Sequence, residues 1–334
     1  MRDFPGTLSG TGGFYDPCKS VAGRSGHRDS DSAGSDQGGK TLFLDAVKRR
    51  NPRLIEVATQ WHQDGVIPPN TFVLDLDAIE ANARLLAETA AVHGLRLYFM
   101  TKQIGRVPEA VAAIRRGGIE KAVAVDMEEA RALHQQGAPV GHIGHLVQIP
   151  RAEVAEALSY NPEVITVFSV DKARQVSEAA SAIGRRQPIL LRVYGDQDWF
   201  HPVQEGGIPL EELDEALDVI RRFPGVEIAG FTTFPAIEAV EPEENKGSHD
   251  GVWFRPTPNL RTIQEAARIA RAAGLNIWQL NAPGMTSVTT IPFLARWGVT
   301  HGEPGHAFTG TIPLAAYSDQ PELPAMIYVS KTVT

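Results

Sequence analysis

Leu95-Arg96-Leu97-Tyr98-Phe99-Met100-Thr101 is a short, mainly apolar run, and a second follows it, Ala122-Val123-Ala124-Val125, after a helical interval at about 107–116 and the stop Gly117-Gly118. The second run leads straight into another helical stretch, 127–136, which Gly137 ends. Strands apolar on both faces belong inside a parallel sheet covered by helices. The alternation extends outward in both directions. Upstream, Thr71-Phe72-Val73-Leu74-Asp75 reads as a strand and 77–92 as a helix stopped by Gly94. Downstream, strands are expected at about 143–149, 164–168, 189–193, 228–233 and 277–280, with helices at 152–158, 172–183, 210–222 and 259–273. Eight strands with intervening helices over 71–311 fit the length and unit count of a closed (β/α)8 TIM barrel, of class α/β, better than those of a doubly wound open sheet. Chemistry in that architecture stands at the carboxyl ends of the strands.

The 334 residues are 43% hydrophobic and 22% charged, which excludes collagen, coiled coil and wholesale disorder. Cys18 is the only cysteine, so neither an intrachain disulfide nor a cysteine zinc site can form. No apolar run is long enough to span a bilayer and no secretory signal opens the chain, so a cytoplasmic protein without a membrane partner is expected. The net charge of −8 argues against a nucleic-acid partner. Residues 1–41, rich in Gly, Ser, Asp and Arg, are expected to be a disordered tail. Gly34-Ser35-Asp36-Gln37-Gly38-Gly39-Lys40-Thr41 satisfies the pattern of a nucleotide phosphate loop, but the polar residues before it cannot supply the strand such a loop needs. From Phe43 an amphipathic helix runs to about Gly65.

Lys102 closes the second expected strand. A lysine there is costly to bury charged, so it needs a partner, a lowered pKa or a covalent bond to an aldehyde; snorkelling out of the barrel mouth is the plain alternative. Near the eighth strand, Asn281-Ala282-Pro283-Gly284-Met285-Thr286-Ser287 sets a glycine beside hydroxyls, which suits a phosphate held by amides and Ser/Thr oxygens. Gly302-Glu303-Pro304-Gly305-His306 then places a carboxylate before a Pro-Gly turn, and barrels favour phosphate in the loops after strands seven and eight. His142 and His145 flank the fourth strand. His145 suits acid–base work near neutral pH, or is a satisfied core histidine. The pair lacks a third ligand at fixed spacing, so no metal is expected. Asp196, Asp198, His201 and Gln204, with Arg192 nearby, form a polar loop after the sixth strand that either meets substrate or is plain surface.

The sequence Val73-Leu74-Asp75-Leu76-Asp77 leading into a helix with Asn82, then Lys102, and Ala122 to Ala130 in the third unit together resemble the barrel domain of alanine racemase and its fold-type III pyridoxal-phosphate relatives. Residues 100–106, 145–150, 280–287 and 301–313 carry a likeness to the YhfX-like branch of that superfamily. The resemblance covers nearly everything from Phe43 onward and leaves out the tail. It implies a racemase-like isomerase acting at Cα of a small amino acid, with Lys102 in a Schiff base to pyridoxal 5′-phosphate. Thr286, Ser287, Gly305 and His306 would cradle the phosphate. Asn281 and Glu303 are implied as further cofactor contacts, as is Arg106, where the racemases carry a phosphate-contacting tyrosine. His145 would stack on the ring or move protons.

Glu303 departs from the racemase pattern, which has an arginine beside the pyridine nitrogen. A carboxylate favours a protonated ring and a stronger electron sink, as in the decarboxylase relatives. A lyase is therefore the nearest alternative, and a non-catalytic cofactor carrier the next. Racemisation by two bases also needs proton donors on both faces of Cα, and the sequence shows only Lys102. The resemblance further implies a homodimer and a β-rich domain after the barrel. The barrel with its preceding helix is expected over 42–313, and 314–334, with Ala325-Met326-Ile327-Tyr328-Val329 as a strand, is expected to begin a truncated or lost C-terminal β domain.

Overall fold

The computed structural model describes residues 43–240 and 254–331; the expected tail, with Cys18 and the Gly34–Thr41 motif, lies outside the described residues. Eight parallel strands form a ring: Arg96–Leu97, Ala122–Ala124, Val140–Ile143, Val164–Val167, Gln187–Tyr194, Val226–Thr232, Gln279–Asn281 and His301–Gly302, the first to eighth barrel strands. Each pairs with its neighbour in sequence, and the eighth returns to the first with His301 opposite Arg96 and Gly302 opposite Leu97. The ring closes through a single bridge, Phe99 to Ala122, where Phe99 N donates to Lys121 O and Val123 N to Phe99 O, both at 2.9 Å. The expected (β/α)8 architecture is present.

The assignment of strands to the ring needs correction at both ends. Thr71–Leu74 is not a barrel strand; it pairs antiparallel with Met326–Val329 in a separate two-stranded sheet. The vacated eighth place belongs to His301–Gly302, two residues that offer no periodicity to read. The strand expected at 143–149 lies instead at Val140–Ile143, because Gly144, at φ 82°, turns the chain away. Lys102 therefore follows the first barrel strand, the loop at 195–207 the fifth, Thr286 the seventh and Glu303 the eighth.

Some helices start where a side chain caps them. Asp75 Oδ1 accepts from Ala78 N at 3.0 Å and Asp126 Oδ1 from Glu129 N at 2.8 Å, satisfying amides that the helices leave free. Helix Leu76–Val92 packs between Ile291–Arg296 and Pro108–Arg116, the place a helix after the eighth strand would take. It buries Ile79, Ala83, Leu86 and Ala90 on one stripe. Asn82 shares that stripe at 2% exposure. Its Nδ2 donates to Phe308 O at 3.0 Å and Leu323 O at 2.8 Å, and Leu323 N donates to its Oδ1 at 2.7 Å. One side chain thus pins the chain as it leaves the eighth strand. Val164, Leu190, Ala229 and Trp278 form an apolar cluster apart from the main core, while His142, Thr166, Arg192, Asn281 and Glu303 are buried polar groups. Among the described residues no helix is long and apolar enough to cross a membrane.

Candidate active site

Lys102 opens a one-turn helix, Lys102–Ile104, after which Gly105 and Arg106 both take left-handed backbone, φ 62° and 59°. The turn is held from the second unit by Glu129, which is fully buried and accepts from Thr101 Oγ1 at 2.6 Å and Val125 N at 2.9 Å. Arg106 Nε stands 3.6 Å from Glu129 Oε1. Glu129 thereby fixes the residue just ahead of the lysine. In sequence it looks like an ordinary acidic residue in a first helical turn, which hides the role.

Lys102 lines a cavity of about 190 Å³ together with Gln103, His201, Phe234, Thr286, Glu303, Gly305 and His306, among others. The first, fifth, sixth, seventh and eighth units all contribute to this wall. The lysine residue is open to solvent at the mouth, yet burial around its amine lowers the pKa, with the charges of Glu129 and Glu303 opposing. A Cβ on Gly305 would meet the end of the Gln103 side chain, which packs against the glycine backbone.

Glu303 is 5% exposed and its Oε1 lies 2.7 Å from His142 Nδ1 and 2.8 Å from Asn281 Nδ2. A carboxylate only accepts, so both nitrogens donate to it; in a neutral imidazole His142 Nε2 then accepts from Thr166 Oγ1 at 2.6 Å. Oε2 has no hydrogen-bond partner, and His145 Nδ1 is 3.5 Å from it. Burial alone raises the carboxyl pKa; the hydrogen bonds from His142 and Asn281 act against this and lower it. Glu303 N also donates to Thr286 Oγ1 at 3.2 Å, joining the loops after the seventh and eighth strands.

Four expected site residues stand elsewhere. Arg106 turns to Glu129 instead of the cavity. Asn281 lies behind the wall, donating to Glu303 and, at 3.1 Å, to Thr232 Oγ1. Ser287 is tied to Thr290, whose Oγ1 accepts from Ser287 N at 2.9 Å. His145 is fully buried between Phe234 and His142, ring centroids 5.6 and 5.8 Å away, and burial pushes its pKa down to about 3. It stands behind Glu303 and does not line the cavity. His142, His145 and Glu303 place ligand atoms within 4.8 Å of one another, but both nitrogens of His142 are already hydrogen-bonded. Sequence reasoning also missed His142 as the residue that binds Glu303, and Phe234, whose apolar ring gives no chemical signal.

A parallel eightfold barrel with a lysine after its first strand is the architecture of the alanine racemase-like class. The profile of the family "alanine racemase, N-terminal domain" matches residues 74–313, and the chain belongs to that family. It is 46% identical over 290 residues to the protein named "Uncharacterized protein YhfX" of Escherichia coli (strain K12), covering 87% of this chain and 73% of that one. Among solved structures it is similar to alanine racemase from Corynebacterium glutamicum, with a TM-score of 0.59 at 20% identity over 78% of this chain and 68% of that one. It is also similar to D-threonine aldolase from Filomicrobium marinum, with a TM-score of 0.54 at 15% identity over 79% and 68% of the two chains.

Members of this family bind pyridoxal phosphate. The residues present fit that cofactor: a lysine amine lines the cavity, and Glu303 Oε2 is a buried acceptor without a partner in the same wall. The Thr286 hydroxyl and the glycine backbone at Gly305 line it as well.

Proposed function

We propose that this protein is a pyridoxal-phosphate-dependent enzyme acting at Cα of a small amino acid, an amino acid racemase or related isomerase. The observation that carries the reading is that Lys102 and Glu303, from adjacent strands, line one cavity. Lys102 would bond to the cofactor's aldehyde carbon, Glu303 would face its ring nitrogen, and Thr286, Gly305 and His306 would hold its phosphate. When bound, pyridoxal phosphate supplies a sink for the electron pair left at Cα as one of its bonds breaks. Lys102, its amine released by substrate, takes a proton from Cα or returns one; the lowered pKa enlarges the neutral fraction able to do so. His142 and Asn281 keep Glu303 ionised and aimed, so that its free oxygen can hold a proton on the ring nitrogen. Phe234, Pro235 and Ile312 give the cavity an apolar wall that excludes water.

A lyase or decarboxylase is the second reading, favoured by Glu303 itself, since a carboxylate in the arginine's place strengthens the sink. The fold does not choose between the two, because similar solved structures include both a racemase and an aldolase.

The test mixes the protein with pyridoxal phosphate, records the absorbance of the bound cofactor, and fixes it with borohydride. Lys102→Ala is expected to retain no fixed cofactor; retention would refute the site. Proton–deuterium exchange at Cα is then followed in heavy water across a panel of L- and D-amino acids. Exchange with inversion supports the isomerase, and cleavage products support the lyase. No exchange with any amino acid by a protein that binds the cofactor would refute catalysis and leave a carrier.

A further inference from the structure

A proton taken from one face of Cα and returned to the other requires a group on each side of the substrate, and Lys102 is one such group. We propose that His201 is the other, the acid–base residue that serves the face of Cα opposite Lys102. The inference rests on the function proposed above.

Ring position gives the first argument. The first and fifth strands of an eightfold ring stand four steps apart in either direction, so their loops reach the mouth from opposite sides. Lys102 follows the first and His201 the fifth, and both line the same cavity. His306 lines it too, but follows the eighth strand, which pairs with the first, and so lies on the lysine's side.

The second argument is the construction of the loop at 195–207. Asp198 Oδ2 accepts from Gly195 N at 3.1 Å, and its Oδ1 accepts from Thr262 Oγ1 at 2.8 Å. Trp199 is held through both backbone groups by Asn259, its N donating to Oδ1 at 3.3 Å and its O accepting from Nδ2 at 3.1 Å. Arg192, fully buried, donates to the carbonyls of Gly206 at 3.2 Å, Gln204 at 3.1 Å and Phe234 at 3.4 Å, with its guanidinium 5.2 Å from the Phe168 ring and 5.6 Å from that of Phe200. A buried arginine that bonds only main-chain carbonyls serves to shape the loop. What the loop presents is His201, exposed, with its ring 5.0 Å from Trp199 and 5.5 Å from Phe234. A solvated surface loop has no need of such anchoring.

The chemistry balances. In one direction the neutral Lys102 amine takes the Cα proton and the His201 imidazolium gives one to the opposite face; in the other direction, neutral imidazole takes and ammonium gives. Water restores both groups between turnovers. Burial, followed by the charge of Lys102, lowers the His201 pKa, which favours the proton-accepting form at neutral pH.

The test compares wild type with His201→Gln, each loaded with pyridoxal phosphate, in the heavy-water exchange of paired L- and D-amino acids. The variant is expected to keep the cofactor absorbance and the exchange of one enantiomer, while exchange of the other and interconversion fall by about 10²-fold or more. Equal exchange of both enantiomers, or equal loss of both, would overturn the assignment. A second readout needs no turnover: in the cofactor-free protein, NMR titration of the His201 ring is expected to show its pKa rising when Lys102 is replaced by Met, and an unchanged pKa would show that the two do not face each other. If the wild type exchanges no amino acid at all, the proposed function falls and the role of His201 falls with it. If the wild type does so and His201→Gln matches it, only the role of His201 falls.

Discussion

Replacing Asn82 with alanine tests whether one buried amide holds the chain in place as it leaves the eighth strand. The substitution removes two donors and one acceptor, and leaves the carbonyls of Phe308 and Leu323 and the amide of Leu323 without their partner. Taking about 1 kcal/mol net for each of the three bonds, with about 1–2 kcal/mol more for buried groups that water does not reach, the expected loss is about 4–5 kcal/mol. At about 2–4 °C per kcal/mol for a large folded unit, Tm falls by roughly 10 °C or more. Asn82→Asp keeps the acceptor but turns a carboxylate toward two carbonyls, so it is expected to be no better than alanine. Urea denaturation followed by circular dichroism measures the loss, and hydrogen exchange at the Leu323 amide localises it. Because Phe308 lies in the turn that starts at His306, the proposed binding of pyridoxal phosphate is expected to weaken in the same variants. A loss below about 1 kcal/mol, or wild-type protection at Leu323, would refute this account of the clamp.

Three further outcomes are expected. Gly230→Ala would place a Cβ 1.6 Å from the main-chain oxygen of Gln279, between the sixth and seventh strands, so no soluble folded protein should form; a soluble variant with a native circular dichroism spectrum would contradict it. Acid weakens the fold through His145: with its pKa depressed from 6.5 to about 3, the unfolded chain takes up the proton first, and stability present above 6.5 is lost as pH falls toward 3. That is about 2 kcal/mol by pH 5, and a His145→Phe variant whose urea midpoint falls as steeply as wild type would count against it. Arg192→Met frees three carbonyls, and proteolytic cleavage within 195–207 should quicken about tenfold, corresponding to about 1.4 kcal/mol of local stability; unchanged cleavage would argue that the arginine does not hold the loop.

The barrel was legible because its strands are buried on both faces, and runs such as Ala122-Val123-Ala124-Val125 have few other uses. Thr71–Leu74 misled because the same apolar texture serves an antiparallel pair, and sequence does not name the partner, Met326–Val329. His301–Gly302 went unseen as a strand since two residues hold no pattern. Of the residues that line the cavity, Lys102, Thr286, Glu303, Gly305 and His306 stood out in the sequence at strand ends and turns. Asn281, Ser287, Arg106 and His145 have the same chemistry, but whether a side chain faces the cavity or a neighbour is settled by packing. Glu129 and His142 act through other residues, and that kind of role leaves no local mark.

The joint between the first and eighth barrel strands is only two residue pairs long, yet Lys102 and Glu303 stand on its two sides. Any ligand that grips both works as a rivet across one of the short laps in the hoop. Binding and hoop closure are then linked by mass action, so such a ligand should resist the opening of this joint.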